Sequence, residues 1–182
     1  MKTKHLIYIL IPLFLNGCSS SEHLTFNNVP IDGQLHRFAE ELAKSEFNIV
    51  DSTANNEIVL HGEFFNKNCK ISVLGISDNN IAYKVIVSLP KEGHDSLQTD
   101  FEKLQKLFSL KYGMGTSKYQ QYQKRERLVY KVPAKNIKEG DYTKYSTDSG
   151  EVTIEVQDGF LSITYLDHSN LELYTKEKSI SN

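Results

Sequence analysis

Apolar residues along the chain follow a helical spacing in two segments. In both, they recur every three or four positions, which places them on one face of an amphipathic helix. The first predicted helix has Asp32 as its N-cap, ends near Ser45, and carries Leu35, Phe38, Ala39 and Leu42 on its apolar face. The second runs from Asp95 or Ser96 as cap to Gly113 as C-terminal stop, with Leu97, Phe101, Leu104, Leu107, Phe108 and Tyr112 as its apolar positions.

Most of the remaining chain shows strand-like alternation, in which every second residue is apolar. Leu24 and Phe26 form a first short run, which Pro30 ends. Later runs have the apolar positions Ile58, Leu60 and Phe64; Cys69, Ile71 and Val73; Ile81, Tyr83, Val85, Val87 and Leu89; Val152, Ile154 and Val156; and Leu161, Ile163 and Tyr165. Asp158-Gly159 joins the last two runs and is a strong hairpin signal. A final short helix is predicted over Leu171 to Lys178.

These elements predict an α+β fold. A helix followed by three strands occurs twice, at Leu35 to Leu89 and at Leu97 to Leu166, which suggests an internal duplication. Since alternation leaves each strand one apolar side, we expect a curved antiparallel sheet with two helices on one face, a two-layer sandwich forming a single domain over residues 24–182. The topology is similar to the β-lactamase inhibitory protein fold, a likeness of fold alone.

The strand phase also predicts a second, polar face of the sheet. If Ile71, Tyr83, Val85, Ile154 and Ile163 face the helices, small and polar residues share the opposite side. We call this side the open face, and its members are Lys70, Ser72, Lys84, Ser88, Thr153, Glu155, Ser162 and Thr164. Lys70, Lys84, Thr153 and Glu155 are candidate binding residues. Any half-buried antiparallel sheet shows such a face, so solvation alone is the competing interpretation.

Neither the helical nor the strand-like spacing of apolar residues holds between Met114 and Lys131. This segment interleaves aromatic rings with cations, and the candidate binding residues within it are Tyr119, Tyr122, Lys124, Arg125 and Arg127. Such a composition can stack on sugars or bases while it contacts anions. The alternative is a solvated insert or an edge strand with no ligand.

Charge argues against nucleic acid as the partner. The 182 residues carry a net charge of −2, and acidic and basic residues are interspersed. Arginine, the preferred reader of phosphate, is limited to Arg37, Arg125 and Arg127. The length suits one domain with a substantial core.

The N-terminus has the layout of an export signal. Lys2 and Lys4 precede an uncharged run from Leu6 to Leu15, which is shorter than the roughly 20 residues that a membrane-spanning helix needs. The run ends in Leu15-Asn16-Gly17-Cys18, which resembles the lipobox of bacterial lipoproteins. This resemblance implies a signal peptide at 1–17, cleavage before Cys18, a diacylglycerol thioether on Cys18, and a lipidated tether at 18–23. Acyl chains of this kind anchor a protein to a bilayer without a spanning segment.

The same resemblance favours the outer membrane. Ser19 follows the cysteine, where inner-membrane retention would place an aspartate. Whether the domain faces the periplasm or the cell surface is left open by the sequence. The mature chain resembles small uncharacterised lipoproteins of Gram-negative gut commensals, through His-Leu-Thr-Phe-Asn-Asn-Val-Pro-Ile-Asp-Gly at 23–33, Lys-Tyr-Gly at 111–113 and the hairpin from Gly150 to Asp167. That group brings no established activity to carry over.

Lipidation of Cys18 would leave Cys69 without a disulfide partner, because the chain has two cysteines. Cys69 alternates in phase with Ile71 and Val73 and is therefore predicted to point into the core. The alternative is a reactive or metal-binding thiol.

Catalytic motifs are missing from the sequence: it contains no G-x-S-x-G, P-loop, H-E-x-x-H or C-x-x-C. No metal or other cofactor is predicted, since the histidines are scattered. Glu151, Glu155 and Asp158 leave open a small hydrolase that uses exposed carboxylates. The hypothesis that the sequence favours is a non-catalytic binding or inhibitor-like module whose partner is an envelope protein or glycan; a purely structural lipoprotein is a third possibility.

Overall fold

The computed structural model of the chain describes residues 23–53, 56–76, 80–90, 93–118, 120–125, 128–133 and 137–180. The predicted signal peptide, Cys18 and all of the tether before His23 lie outside this range. The described residues form three helices, α1 Leu35–Ala43, α2 His94–Tyr112 and α3 His168–Ile180. Their strands are β1 Thr25–Phe26, β2 Val29–Pro30, β3 Phe47–Thr53, β4 Glu57–Phe64, β5 Lys67–Gly75, β6 Ala82–Ser88, β7 Thr116–Ser117, β8 Gln120–Arg125, β9 Leu128–Pro133, β10 Tyr142–Ser146, β11 Gly150–Gln157 and β12 Phe160–Asp167.

In the described part of the chain, eight strands form one open antiparallel sheet in the order β3-β4-β5-β6-β12-β11-β10-β7. Each half of this sheet follows one helix, since α1 precedes β3 to β6 and α2 precedes β7 and β10 to β12. β6 and β12 join the halves, with Ser88 opposite Ser162. The predicted α+β fold is confirmed. Each half of the sheet has four strands where three were predicted, because β3 and β7 each add an edge strand.

The core lies between one face of the sheet and the helices α1 and α2. Their predicted apolar stripes are buried in it, and α2 ends at Gly113 as predicted. Leu107 is exposed instead, because it lies about 100° around the helix from the buried Phe108. Both predicted N-caps were wrong: the capping positions are Gln34 for α1 and Gly93 for α2.

The predicted strand phase fails where β6 begins. Ala82 is fully buried, whereas Ile81 and Tyr83 are only partly buried, although alternation in the sequence placed both inside. The pairing of β5 with β6 shifts register between Leu74 and Gly75, so that Gly75 lies opposite Ala82. An extra residue at such a bulge reverses the side on which the following residues lie.

The N-terminal hairpin β1–β2 places Phe26 inside the core. Asn27 and Asn28 form its turn with positive φ angles of 47° and 64°, a conformation that asparagine tolerates well. The Phe26 ring lies 5.9 Å from that of Phe47, 5.8 Å from that of Phe64 and 5.1 Å from that of Tyr165. Phe26 therefore connects the first half of the sheet, through β3 and β4, with β12 in the second half.

A buried polar cluster joins the N-terminal segment to α3, which packs on β6, β11 and β12. Asp167, at the end of β12, accepts hydrogen bonds from the backbone N–H of Leu24 at 2.7 Å and of Asn170 at 2.9 Å. The Asn170 side chain donates to the carbonyl oxygens of Ile31 and Ala82, both at 2.9 Å. The chain thus enters the fold at the end of the sheet where β12 finishes and α3 begins.

Candidate functional site

The open face is arranged in rows that cross both halves of the sheet. In one row, Lys70 lies opposite Ser88, Ser88 opposite Ser162, and Ser162 opposite Glu155. Thr153 and Lys84 belong to neighbouring rows, opposite Thr164 and Leu166. All eight predicted residues of this face are exposed or partly exposed, as expected. The structure therefore brings four separate strands of the predicted surface into contact along one row.

Apolar side chains on the open face were missed by sequence reasoning. Val59, Leu74, Ile86 and Leu166 share the phase of its polar members, since Val59 and Ile86 both lie opposite Ser72. Val59 is buried and the other three are partly buried. Each lies between two core-facing residues of its own strand. Alternation therefore assigns it to the open face, but it does not show that this face carries apolar side chains. The open face is consequently less polar than predicted.

One end of the open face contains a groove of about 690 Å³. We use the name groove for the depression lined by His61, Gly62, Asn68, Cys69, Lys70, Ile86, Ser88, Leu89, Pro90, Gln157, Asp158, Phe160 and Ser162. Of the predicted binding residues, Lys70 lines it, whereas Lys84, Thr153 and Glu155 lie elsewhere on the same face. Its volume is within the range of about 300–1,000 Å³ typical of ligand pockets.

The groove combines apolar lining with a few polar groups. Phe160 is 39% exposed and lies with Ile86 and Pro90 along the lining. Lys70 supplies a positive charge and Ser88 and Ser162 supply hydroxyl groups. This arrangement suits a ligand that presents an apolar group beside a carboxylate or another acceptor.

The rim of the groove is formed by the hairpin turn between β11 and β12. Asp158 and Gly159 adopt positive φ angles of 54° and 72°, as a tight two-residue turn requires. Their backbone N–H groups donate to the carboxylate of Glu139 at 2.6 and 3.2 Å. The Asp-Gly signal in the sequence predicted this hairpin, whereas the support from Glu139 depends on a contact between distant segments.

Cys69 is buried beneath the groove, as its phase predicted. Burial raises the pKa of its thiol to about 11, because desolvation disfavours the thiolate. At neutral pH the thiol is protonated and correspondingly unreactive. Its position supports the interpretation as a core residue.

The carboxylates on which a hydrolase would depend are separated. Glu151 and Glu155 lie four residues apart on β11, so their Cα atoms are about 13 Å apart. The Glu151 carboxylate is held by Lys144 Nζ at 3.0 and 3.2 Å. Neither glutamate lines the groove, whereas Asp158 does. Among the described residues, no group of three or more His, Cys, Asp or Glu is placed to hold a metal ion.

The basic and aromatic segment forms a hairpin, although its sequence shows neither the helical nor the strand spacing of apolar residues. β8 pairs with β9 from Gln120 opposite Pro133 to Arg125 opposite Leu128, in a sheet of its own. β8 reads Gln-Gln-Tyr-Gln-Lys-Arg, so it shows no apolar alternation by which a strand is recognised. Tyr122, Lys124 and Arg125 are residues of β8, whereas Tyr119 and Arg127 lie outside the described residues.

Comparison of the chain with models of protein families, with curated proteins and with solved structures gave no significant match. In the part of the chain that the structure describes, no helix combines the length and the apolar character needed to span a membrane. Functional inference therefore rests on the residues and on the geometry of the groove.

Proposed function

We propose that the chain is an envelope lipoprotein, anchored to the outer membrane through a lipidated Cys18, and that its α+β domain is a non-catalytic binding module for another envelope protein. The observation that carries the binding role is the groove on the open face. The opposite face of the sheet is covered by α1 and α2, so the groove occupies the broad surface that the fold leaves to solvent.

The position of the groove supports presentation away from the membrane. The chain enters the fold at Leu24, whose N–H group is bonded to Asp167. Gln157 and Phe160 line the groove, and they lie at the ends of β11 and β12 that are far from Asp167. Each of these strands has eight residues, which corresponds to about 25 Å. An anchored domain would thus hold its groove at the end far from the anchor.

The chemistry of the groove favours a protein as the partner. Aromatic side chains such as that of Phe160 are enriched in protein interfaces, and a charged residue beside them contributes to the choice of partner through electrostatic complementarity. Phe160 would pack against an apolar side chain of the partner, and Lys70 would pair with a carboxylate beside that side chain. A glycan is the alternative ligand, which the experiment below distinguishes.

The anchor is tested by palmitate incorporation in cells. We expect the wild-type chain and a Cys69→Ser variant to incorporate radiolabelled palmitate and to fractionate with the outer membrane. A Cys18→Ser variant should lose the label and leave the membrane fraction, because it lacks the thiol that carries the diacylglycerol. Cys69→Ser is the matched control, since it removes the chain's other cysteine. A Cys18→Ser chain that remains with membranes would refute the anchor.

The groove is tested by site-specific photocrosslinking in intact cells. A photoreactive amino acid at Phe160 should form a defined adduct with one envelope protein, whereas the same probe at Leu173 should not. Leu173 is a matched control because it is 40% exposed, compared with 39% for Phe160, and belongs to α3.

Variants that reverse a charge test whether Lys70 contributes to binding in the groove. Lys70→Glu should lower the adduct yield at least about tenfold, because reversing the charge turns attraction to a carboxylate into repulsion. Lys84→Glu, on the open face but outside the groove, should leave the yield unchanged. Equal adducts from Phe160 and Leu173 would refute the groove as the site. An adduct whose added mass is removed by glycosidase would replace the protein by a glycan.

A further inference from the structure

The C-terminal end of α2 lies at the same end of the sheet as the entry of the chain. α2 begins at His94, five residues after Leu89, which lines the groove at the far end. Its other end reaches Tyr165 and Tyr145, since the Phe108 ring lies 6.3 Å from that of Tyr165 and the Tyr112 ring 6.2 Å from that of Tyr145. Tyr165 is two residues from Asp167, which binds the Leu24 N–H group.

This end of α2 exposes an apolar surface. Leu107 and Leu110 lie about one turn apart on the outer side of the helix, and Met114 follows the C-terminal Gly113. Leu110 is 78% exposed and Met114 93%, the two highest values among the large apolar residues that the structure describes. Three exposed lysines, Lys103, Lys106 and Lys111, lie on or beside the same side of the helix. We call these six residues the docking face.

We propose that the docking face rests on the anionic surface of the membrane that carries the lipid anchor. Large exposed apolar side chains flanked by lysines are the composition of helices that lie in a membrane interface, where the apolar groups enter the acyl boundary and the ammonium groups meet lipid phosphates. The inference rests on the proposed lipidation of Cys18.

The length of the tether supports a lipid surface as the occupant. Cys18 and Leu24 are six residues apart, which allows at most about 22 Å of extended chain. The end of the sheet that holds Leu24 must then lie close to the bilayer, and the docking face shares that end. With the docking face on the membrane, the groove lies at the opposite end of β11 and β12.

The test uses the full lipidated chain, reconstituted into vesicles of phosphatidylethanolamine with phosphatidylglycerol. An environment-sensitive fluorophore is attached at Leu110→Cys and, in a control chain, at Gln157→Cys. Gln157 is an exposed residue that ends β11 and lines the groove, at the end of the strand far from Asp167. We expect a blue shift of emission and quenching by spin-labelled lipid at position 110, and neither at position 157.

The contribution of the lysines to membrane docking is tested by neutralising them. In the Leu110→Cys chain, Lys103→Gln, Lys106→Gln and Lys111→Gln should each lower the docking equilibrium constant roughly fivefold. Lys138→Gln should leave it unchanged, because Lys138 is exposed beside Glu139, whose carboxylate binds the turn at the rim of the groove. Vesicles of neutral phosphatidylcholine should also reduce quenching at position 110.

The outcomes separate the anchor from the docking. A chain that is retained on vesicles while its position 110 stays in water would overturn the docking proposal and leave the anchor intact; a protein partner on this face would give the same result. If mass spectrometry shows no acyl groups on Cys18, the anchor is refuted. The unacylated labelled chain is then mixed with the same anionic vesicles. Quenching at position 110 would support the docking proposal, and the absence of quenching would overturn it.

Discussion

Replacing Phe26 by alanine is expected to lower the free energy of unfolding by about 3–5 kcal/mol. Phe26 is fully buried, and its ring contacts those of Phe47, Phe64 and Tyr165. Truncation would remove the transfer free energy of the ring and leave a cavity between the two halves of the sheet, where rigid strands limit collapse. Urea unfolding, followed by circular dichroism, measures the loss.

Phe65→Ala is the matched control for this prediction. Phe65 is exposed and adjoins Phe64, but it lies outside the core cluster. Its replacement should cost less than about 1 kcal/mol, as is usual for surface positions. Similar losses for Phe26→Ala and Phe65→Ala would show that the N-terminal hairpin does not hold the halves of the sheet together.

Replacing Asp167 by alanine is expected to destabilise the domain by about 2–4 kcal/mol. The carboxylate is fully buried and accepts the N–H groups of Leu24 and Asn170, and its Oδ1 lies 3.3 Å from the ring Nδ1 of His23. Removing it leaves both donors without this acceptor in a buried site, which costs more than the net value of the bonds themselves. Denaturant unfolding measures the overall loss, and hydrogen exchange at Leu24 and Asn170 should rise locally.

Two variants delimit the role of this carboxylate. Asp167→Asn should cause a smaller loss, because the amide oxygen still accepts one of the two backbone bonds. Asp148→Ala is the control, since Asp148 is exposed in the turn between β10 and β11; its loss should stay below about 1 kcal/mol. Unchanged exchange at Leu24 in the Asp167→Ala chain would contradict the assigned role.

Much of the fold could be predicted because amphipathic spacing is a local property. Leu35, Phe38 and Leu42 reveal the inward face of α1 without knowledge of any other element. The same holds for Ile71 and Val73 in β5. The caps were predicted less well, since Gln34 and Gly93 make no side-chain capping hydrogen bond that would mark them in the sequence.

The candidate site was only partly predictable. Alternation identified Lys70, Ser88 and Ser162 as members of one face, and the structure confirms this. The groove itself depends on the pairing of β6 with β12, which brings Ser88 against Ser162. Ile86 and Phe160 gave no signal of exposure, because an apolar residue in a strand is usually assigned to the core.

The sequence by itself determined the periods of the helices and strands, the inward phase of Cys69 and the hairpin at Asp158-Gly159, since each depends on residues close together in the chain. Only the tertiary structure decided the strand order, the groove and the positions of Phe26 and Asp167. The bond between Leu24 and Asp167 spans 143 residues. Such contacts follow from how the whole chain closes around its core, and no local pattern of residues specifies them.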